Sequence, residues 1–253
     1  YRGTDGAPLW EIANPEHGVS GIGVGDANND GIREVVWGAG LTSSGKDALY
    51  IGDWQNDGSV LWSSVDLDGP FYVAAGDLDL DGQQEIVMAS YSTASGYEGG
   101  TLMVYDGATH QLEWTTILGN LYFHISHLAV GQVDSDPALE IVVAGDSWYN
   151  ASINTYDGLT HALEWESPIL GNELPLALAV GNLDSDALDE IAIAVRKDIQ
   201  YRVQVLNGAS PVIQWESAAL DGTIIDVAMG NLAGSSKVNL AVLLMRRGSS
   251  GRA

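Results

Sequence analysis

Short apolar runs punctuated by turn signals fill the chain, and no segment of useful length has a helical period. The runs "EIVMAS", "EIVVAG" and "EIAIAV" are typical of buried strands, and "TLMVYDG", "SINTYDG" and "VQVLNG" lead into Asp-Gly or Asn-Gly hairpin turns. Segments such as "HQLEWTTI" follow the turn, and segments such as "LALAVGN" lead into a polar loop. The pattern predicts units of four short strands, A to D, in which the polar loop joins A to B and the Asp-Gly turn joins C to D.

The four-strand unit is repeated with a period of about 50 residues. The polar loops lie at 25–36, 76–87, 131–142, 181–192 and 230–241, with steps of 51, 55, 50 and 49 residues. A tryptophan near each hairpin turn keeps the same period, at Trp10, Trp62, Trp114, Trp165 and Trp215. Four antiparallel strands per repeat at this period predict an all-β fold, a β-propeller of five four-stranded blades. We interpret the tryptophans as packing between blades, and His110 and His161 as equivalent structural turn positions.

The ends of the chain bear on how the propeller closes. Residues 1–12 ("YRGTDG" and "APLWEI") read as strands C and D, and the last repeat supplies an A strand ("TIIDVAMG") and a B strand ("NLAVLLMR"). Pairing the two halves would complete a fifth blade and cover two exposed sheet edges. We therefore predict a single domain over residues 1–253. The alternative is a longer array in which six to eight blades are completed elsewhere.

The polar loops have the chemistry of calcium sites. Counted from the residue after the first glycine, positions 1, 3 and 5 carry carboxylates or amides, position 7 offers its carbonyl, and position 9 is a glutamate in the first four loops. Calcium takes six to eight oxygen ligands, and alternate side chains of a tightly curled loop can converge on one ion. An EF-hand would need its glutamate at position 12 and flanking helices, so this type of site is excluded.

The predicted ligands, position 7 through its carbonyl, follow from this numbering and support two to four Ca²⁺ ions. They are Asp26, Asn28, Asp30, Ile32 and Glu34 in the first loop; Asp77, Asp79, Asp81, Gln83 and Glu85 in the second; Asp134, Asp136, Ala138 and Glu140 in the third; and Asn182, Asp184, Asp186, Leu188 and Glu190 in the fourth. The first two loops have glycine at position 6, whereas the third and fourth have Pro137 and Ala187. The fifth loop replaces two acids by Ala233 and Ser235 and adds Lys237, so we expect no ion there.

The segments "GDANNDGIREVVWGAG" and "GDLDLDGQQEIVMAS" resemble FG-GAP (VCBS-type) repeats. These repeats are the calcium-binding blades of integrin α-subunit heads, fungal lectins and many secreted bacterial proteins. The resemblance covers essentially the whole chain through its five copies. It implies a propeller with calcium held in the A–B loops, and it favours an extracellular or cell-surface location.

Composition limits the partners. Ten basic against 34 acidic residues give a formal net charge of −24, so a phosphate-binding surface is excluded and nucleic acid is not an expected partner. No apolar stretch is long enough for a membrane-spanning helix, so we expect no membrane insertion. The absence of cysteine excludes disulfides, thiolate metal sites and cysteine nucleophiles.

The B–C and D–A loops lie at the opposite end of each blade from the calcium loops and differ most between repeats. Exposed aromatic side chains beside Asn, Ser and Asp favour recognition of a glycan or a protein. The candidate ligand-binding residues are Tyr72, Tyr91, Tyr97, Phe123, His124, Trp148 and Tyr149.

The leading functional hypothesis is a calcium-stabilised binding or adhesion module. An alternative is a structural module that assembles into a surface layer or filament, as a homo-oligomer or as part of a larger chain. An enzyme, either a polysaccharide lyase or a quinoprotein-like propeller, is the third hypothesis. Because no catalytic motif is present, we expect no enzymatic activity and name no catalytic residue.

Overall fold

The computed structural model describes residues 2, 4–16, 18–39, 47–55, 58–67, 71–90, 100–118, 124–147, 150–167, 173–184, 186–210, 212–231 and 238–246. Within these ranges the chain is all-β and contains no helix. No helix in the described ranges is therefore long and apolar enough to span a membrane.

Eighteen strands form five antiparallel sheets in the described residues. Sheet 1 contains β1 (Val19–Gly25), β2 (Glu34–Ala39), β3 (Leu49–Asp53) and β4 (Ser59–Ser63). Sheet 2 contains β5 (Phe71–Gly76), β6 (Glu85–Ser90), β7 (Gly100–Asp106) and β8 (Leu112–Leu118). Sheet 3 contains β9 (His124–Gly131), β10 (Glu140–Ser147), β11 (Asn150–Asp157) and β12 (Leu163–Glu166). Sheet 4 contains β13 (Glu173–Gly181), β14 (Glu190–Lys197), β15 (Gln200–Leu206) and β16 (Ile213–Glu216), and sheet 5 contains β17 (Thr223–Gly230) and β18 (Asn239–Met245).

The prediction of four antiparallel strands per repeat is confirmed for the first four sheets. In each of them the strands lie side by side in chain order, which is the up-and-down meander of A, B, C and D. In sheets 2 to 4 the Asp-Gly or Asn-Gly turns connect strands C and D, and the C–D pairing has a register shift at the same place in all four sheets. In the described residues, sheet 5 consists of an A and a B strand alone.

The N-terminal segment departs from the prediction of strands C and D. Its turn forms, because Arg2 N–H donates to Ala7 C=O at 2.7 Å and Gly6 N–H donates to Arg2 C=O at 2.8 Å. None of the described residues from 2 to 16 lies in a strand, however, since a ladder requires a neighbouring strand with free N–H and C=O groups. The predicted pairing of this segment with sheet 5 stays a prediction.

The chain divides into two compact units, residues 1–125 and 126–253. In each unit the described B and C strands are largely buried, whereas the D strands are mostly exposed. In the first unit, one core cluster joins Val36, Leu49 and Ile51 of sheet 1 to Ile86 and Met88 of sheet 2. In the second unit, equivalent clusters join sheet 3 to sheet 4 and sheet 4 to sheet 5. The assignment of residues 1–253 to a single domain stays a prediction.

Packing between sheets, the role predicted for the repeated tryptophans, is confirmed where both partners lie in one unit. The ring of Trp62 stacks on His110 of sheet 2 with a centroid separation of 4.8 Å. Trp165 donates its indole N–H to the backbone oxygen of Gly208 in the next sheet, at 3.2 Å. Trp10 packs in the same way against the cluster of Trp37 and Tyr50 in sheet 1. Trp215 precedes the two-stranded sheet and is 52% exposed.

Candidate metal-binding loops

The four A–B loops share one set of internal hydrogen bonds. The side-chain oxygen at position 3 accepts the N–H of position 5, and the side-chain oxygen at position 5 accepts the N–H of position 7, all at 2.7–3.0 Å. Such turns are the ordinary local preference of Asp and Asn. They curl the backbone so that alternate side chains approach one another, as the D-x-D-x-D spacing predicts.

The glutamate at position 9 opens strand B and is buried in every loop. Glu34, Glu85, Glu140 and Glu190 are between 0% and 3% exposed. One oxygen of each accepts the N–H of position 2, at 2.6–3.0 Å. Burial is the main cause that raises the pKa of the first three to about 7, with help from neighbouring loop aspartates, and it raises the pKa of Glu190 as well. A cation beside these carboxyl groups would favour their charged form.

Position 1 closes the loop in two different ways. In the first two loops, Asp26 and Asp77 accept the N–H of Gly31 and Gly82, which both have a φ of +88°. Pro137 has no N–H to give in the third loop. In this loop position 1 is therefore a donor and not an acceptor. The side-chain amide of Gln132 donates to the carbonyl of position 5 at 2.6 Å. Asn182 does the same in the fourth loop, also at 2.6 Å. The missing glycines therefore leave both loops closed.

Three of the loops bring carboxylates close enough to hold a metal ion. The groups are Asp77, Asp79 and Glu85; Asp134, Asp136, Glu140 and Glu164; and Asp184, Asp186 and Glu190, and within each group one oxygen per residue lies within 4.8 Å of the others. In the first loop, the position 3 residue is Asn28, whose amide donates to Asp30 at 3.2 Å.

Two oxygens show that the loops fit a cation. Oδ1 of Asp77 and Oε1 of Glu140 are buried and have no hydrogen-bond partner among the described residues. A buried carboxylate oxygen without a donor is costly, and a bound cation would remove that cost. The carbonyls predicted as ligands at position 7 lie in these same loops. Residues 232–237 of the fifth loop, and with them the prediction of no ion there, lie outside the described residues.

The sequence analysis missed the strand D residue that precedes the repeated tryptophan. In sheet 3 this residue is Glu164, which lies beside the carboxylates of the third loop, and in sheet 2 it is Glu113. Burial raises the pKa of Glu164 to about 8, with further contributions from the charge of Asp134 and a hydrogen bond with it. Burial and the charges of Asp106, Asp79 and Asp81 raise the pKa of Glu113. The available signal was the "LEW" segment, which carries this acid in two of the five repeats.

Position 8 ties neighbouring loops together within each unit. In the first unit, Gln84 accepts the N–H of Asp26 at 2.8 Å through its side chain, and its own N–H donates to Asn29 at 2.7 Å. In the second unit, Asp189 accepts the N–H of Gln132 at 3.1 Å and donates its own N–H to the Gln132 carbonyl at 2.7 Å. The first loop is therefore held by the second, and the third loop by the fourth.

Tyr72 and the backbone of His124 are the predicted ligand-binding positions that the structure describes. Tyr91, Tyr97, Phe123, Trp148 and Tyr149 lie outside the described residues, and only the backbone of His124 is described, in β9. Tyr72 lies in β5, where it pairs with Ala89 of β6.

The end of sheet 4 opposite its acidic loop contributes to a cavity of about 600 Å³ that the sequence analysis did not predict. Arg196, Tyr201 and Arg246 line it together with Asp198 and Asp221.

His127 is a second histidine of β9, three residues after His124. Burial lowers its pKa to about 4, although a hydrogen bond to the backbone of Leu176 and the charge of Asp226 act in the opposite direction. His127 is therefore neutral near pH 7.

Comparison with known proteins shows the fold alone. No family model matches the chain, and no curated protein matches it. Among solved structures, it is similar to the rhamnogalacturonan lyase YesW, with 14% identity, a TM-score of 0.53, and coverage of 93% of this chain and 57% of that one. It is also similar to the Bacillus licheniformis rhamnogalacturonan lyase PL11, with 13% identity, a TM-score of 0.50, and coverage of 92% and 59%. This chain thus spans less than two thirds of the length of either lyase, and at these identities the likeness concerns the arrangement of strands.

Proposed function

We propose that the protein is a calcium-stabilised, extracellular β-propeller of the FG-GAP type that serves as a binding or adhesion module for a glycan or a protein. One observation carries the proposal. The loops of the first four sheets repeat the same hydrogen bonds, and each contains a buried glutamate. One oxygen of this glutamate accepts the N–H of position 2, and this bond leaves the other oxygen available to a cation. Acidic residues that served only to solvate exposed turns would not be expected to repeat these hydrogen bonds or to bury a carboxylate.

Calcium suits these loops better than softer metals. The donors are carboxylates, amide oxygens and backbone carbonyls, which hard cations prefer, and the loops contain neither histidine nor cysteine. Extracellular calcium modules bind with Kd values on the order of 0.1–1 mM, which fits a location where free calcium is abundant.

The test of the calcium role is titration of metal-stripped protein by isothermal calorimetry. We expect two to four Ca²⁺ ions per chain and a melting temperature that falls when EDTA is added. A melting temperature that EDTA leaves unchanged, together with no heat of binding, would refute the calcium part of the proposal.

The binding role is supported by the cavity beside Arg196, Tyr201 and Arg246. It lies at the end of sheet 4 opposite the acidic loop, where repeats differ in sequence, and it combines an aromatic hydroxyl with two guanidinium groups. Such groups hydrogen-bond to carboxylates and hydroxyls of a saccharide or a peptide.

The matched variants are Arg196→Gln and Arg202→Gln, since Arg202 is already paired with Glu216 at 2.9 Å. In a glycan array and a protein pull-down, we expect Arg196→Gln to lose the ligand and Arg202→Gln to keep it. Equal binding by both variants would place the ligand elsewhere. We also propose that the protein has no enzymatic activity, so incubation with acidic polysaccharides should leave them uncleaved.

Exposed apolar side chains support completion of the ring by the two ends of the chain. On β1, Val19, Ile22 and Val24 are 54–67% exposed, and on sheet 5 Ile225, Leu243 and Met245 are 46–59% exposed. Val73 of sheet 2 corresponds in position to Ile22, and it is only 7% exposed because sheet 1 covers it.

If the ring closes, Ile22→Asp and Leu243→Asp should each lower the melting temperature by several degrees, whereas Val65→Asp, at a position that is 75% exposed, should not. The same exposed residues favour the second candidate, assembly of copies into a layer. Sedimentation with and without calcium separates the two, because assembly predicts species larger than the monomer.

A further inference from the structure

We propose that Glu164 of β12 is an additional calcium ligand, so that the third loop is completed by a carboxylate from strand D and not by its own position 1. The inference rests on the proposed calcium role of the loops and assigns a ligand outside the loop itself.

The third loop lacks the carboxylate that its first two counterparts carry at position 1. Gln132 occupies this position, and its amide nitrogen donates to the carbonyls of Asp134 and Asp136, at 3.1 and 2.6 Å. Its NH₂ group is therefore used for closing the loop over Pro137. The loop alone would offer three carboxylates, compared with four in the second loop.

Glu164 restores the fourth carboxylate. One of its oxygens lies within 4.8 Å of an oxygen of Asp134, of Asp136 and of Glu140, which is the spacing of ligands around one ion. Strand β12 places it there because β12 pairs with β11, next to β10 where Glu140 begins strand B.

A second observation points to an ion at this place. Glu140 is 0% exposed, and its Oε2 accepts the N–H groups of Val133 and Asp134. Its Oε1 is buried and has no hydrogen-bond partner in the described part of the chain. The carboxylates of Asp134, Asp136, Glu140 and Glu164 repel one another in the absence of a cation, and a cation at this place would pair these charges and supply the unsatisfied oxygen with a partner.

Sheet 2 also has a glutamate at this strand D position, Glu113, whereas sheets 4 and 1 have uncharged residues there and provide matched comparisons. In sheet 4 it is Gln214, which lines one pocket together with Asp184 and Glu190, and in sheet 1 it is Leu61. The position thus faces the acidic loop in sheet 4 as well, but without a charge.

The experiment is calcium titration of metal-stripped protein by calorimetry for the full chain and four variants, with circular dichroism as the check on folding. Glu140→Gln should lose one ion. Glu164→Gln should keep the ion count at high calcium but bind one ion at least tenfold more weakly, because affinity depends on the number of charged ligands. Glu166→Gln, on the same strand but outside the carboxylate group, should bind as the unmodified protein does.

Gln214→Glu supplies a gain-of-function test that does not depend on a weakened protein. It should tighten one ion by about tenfold, since it gives the fourth loop the carboxylate that the third already has.

The outcomes distinguish this inference from the proposed function. If Glu140→Gln removes an ion but Glu164→Gln and Gln214→Glu leave all affinities unchanged, the role of Glu164 is refuted while the calcium loop stands. If Glu140→Gln leaves the ion count unchanged, the third loop is not a calcium site and both claims fail there.

Discussion

Replacing Glu140 by glutamine should stabilise the protein when calcium is absent, and calcium should remove much of that gain. The substitution keeps the shape of the side chain and an oxygen that can accept the Val133 N–H, now at 2.6 Å. It removes a negative charge that is 0% exposed and lies beside Asp134, Asp136 and Glu164. Without an ion, that charge is desolvated and repelled, so its loss should stabilise the fold.

The size of the effect follows from the pKa of Glu140, which burial and the neighbouring aspartates raise from 4.5 to about 7. A difference of 2.5 units at about 1.4 kcal/mol per unit gives up to about 3 kcal/mol. Because the folded state binds the proton more tightly, stability due to this group is fully present below pH 4.5 and is lost as the pH rises to about 7. The advantage of Glu140→Gln over the unmodified protein should therefore grow from near zero at pH 4.5 to its full value above pH 7.

Calcium should remove between about half and nearly all of this advantage. An ion bound with a Kd on the order of 0.1–1 mM contributes about 1.4–2.7 kcal/mol at 10 mM free calcium, and the variant loses this contribution. The assay is urea unfolding followed by tryptophan fluorescence at several pH values, in EGTA and in 10 mM CaCl₂. The contributions of Glu34 and Glu85 cancel in the difference between the two proteins.

One result would refute the reasoning. If Glu140→Gln is less stable than the unmodified protein by the same amount in EGTA and in calcium, the glutamate serves only as an acceptor for the loop backbone. Its buried oxygen would then have no connection with a cation.

Three further perturbations test the loops and the packing between sheets. Gly82→Ala should lower the free energy of unfolding in EGTA by about 1 kcal/mol, because the φ of +88° is unfavourable for alanine. Nothing lies within 4 Å of the added carbon, so the cost comes from the backbone alone. An unchanged urea midpoint would contradict the expected backbone strain. Trp62→Leu should cost about 2 kcal/mol through the lost stacking on His110, whereas Trp215→Leu, at a residue that is 52% exposed, should cost little, and a large loss for the second would favour ring closure. Gln84→Leu leaves the Asp26 N–H without its acceptor at 2.8 Å and should cost about 1 kcal/mol, measured by thermal unfolding.

Much of the fold could be predicted from local features of the sequence. The apolar runs, the Asp-Gly turns and the 50-residue period depend on neighbours within a few residues, and the structure shows the predicted four-stranded meander in each of the first four repeats. The clustering of Asp77, Asp79 and Glu85 in the second loop was predictable for the same reason, because D-x-D turns form from local hydrogen bonds.

The tertiary structure determined contacts between residues that are distant in the sequence, which local patterns cannot predict. Glu164 lies near the third loop only because β12 and β10 both pair with β11 in one sheet. Gln84 holds Asp26 only because two sheets pack together. The N-terminal segment was predicted as two strands from its turn and its apolar residues, but none of its described residues lies in a strand. A turn forms from its own residues, whereas a strand needs the backbone of a neighbour. The sequence alone therefore determined the repeating unit and the acidic residues of each loop, and the packing of strands and sheets determined which distant side chains lie beside them.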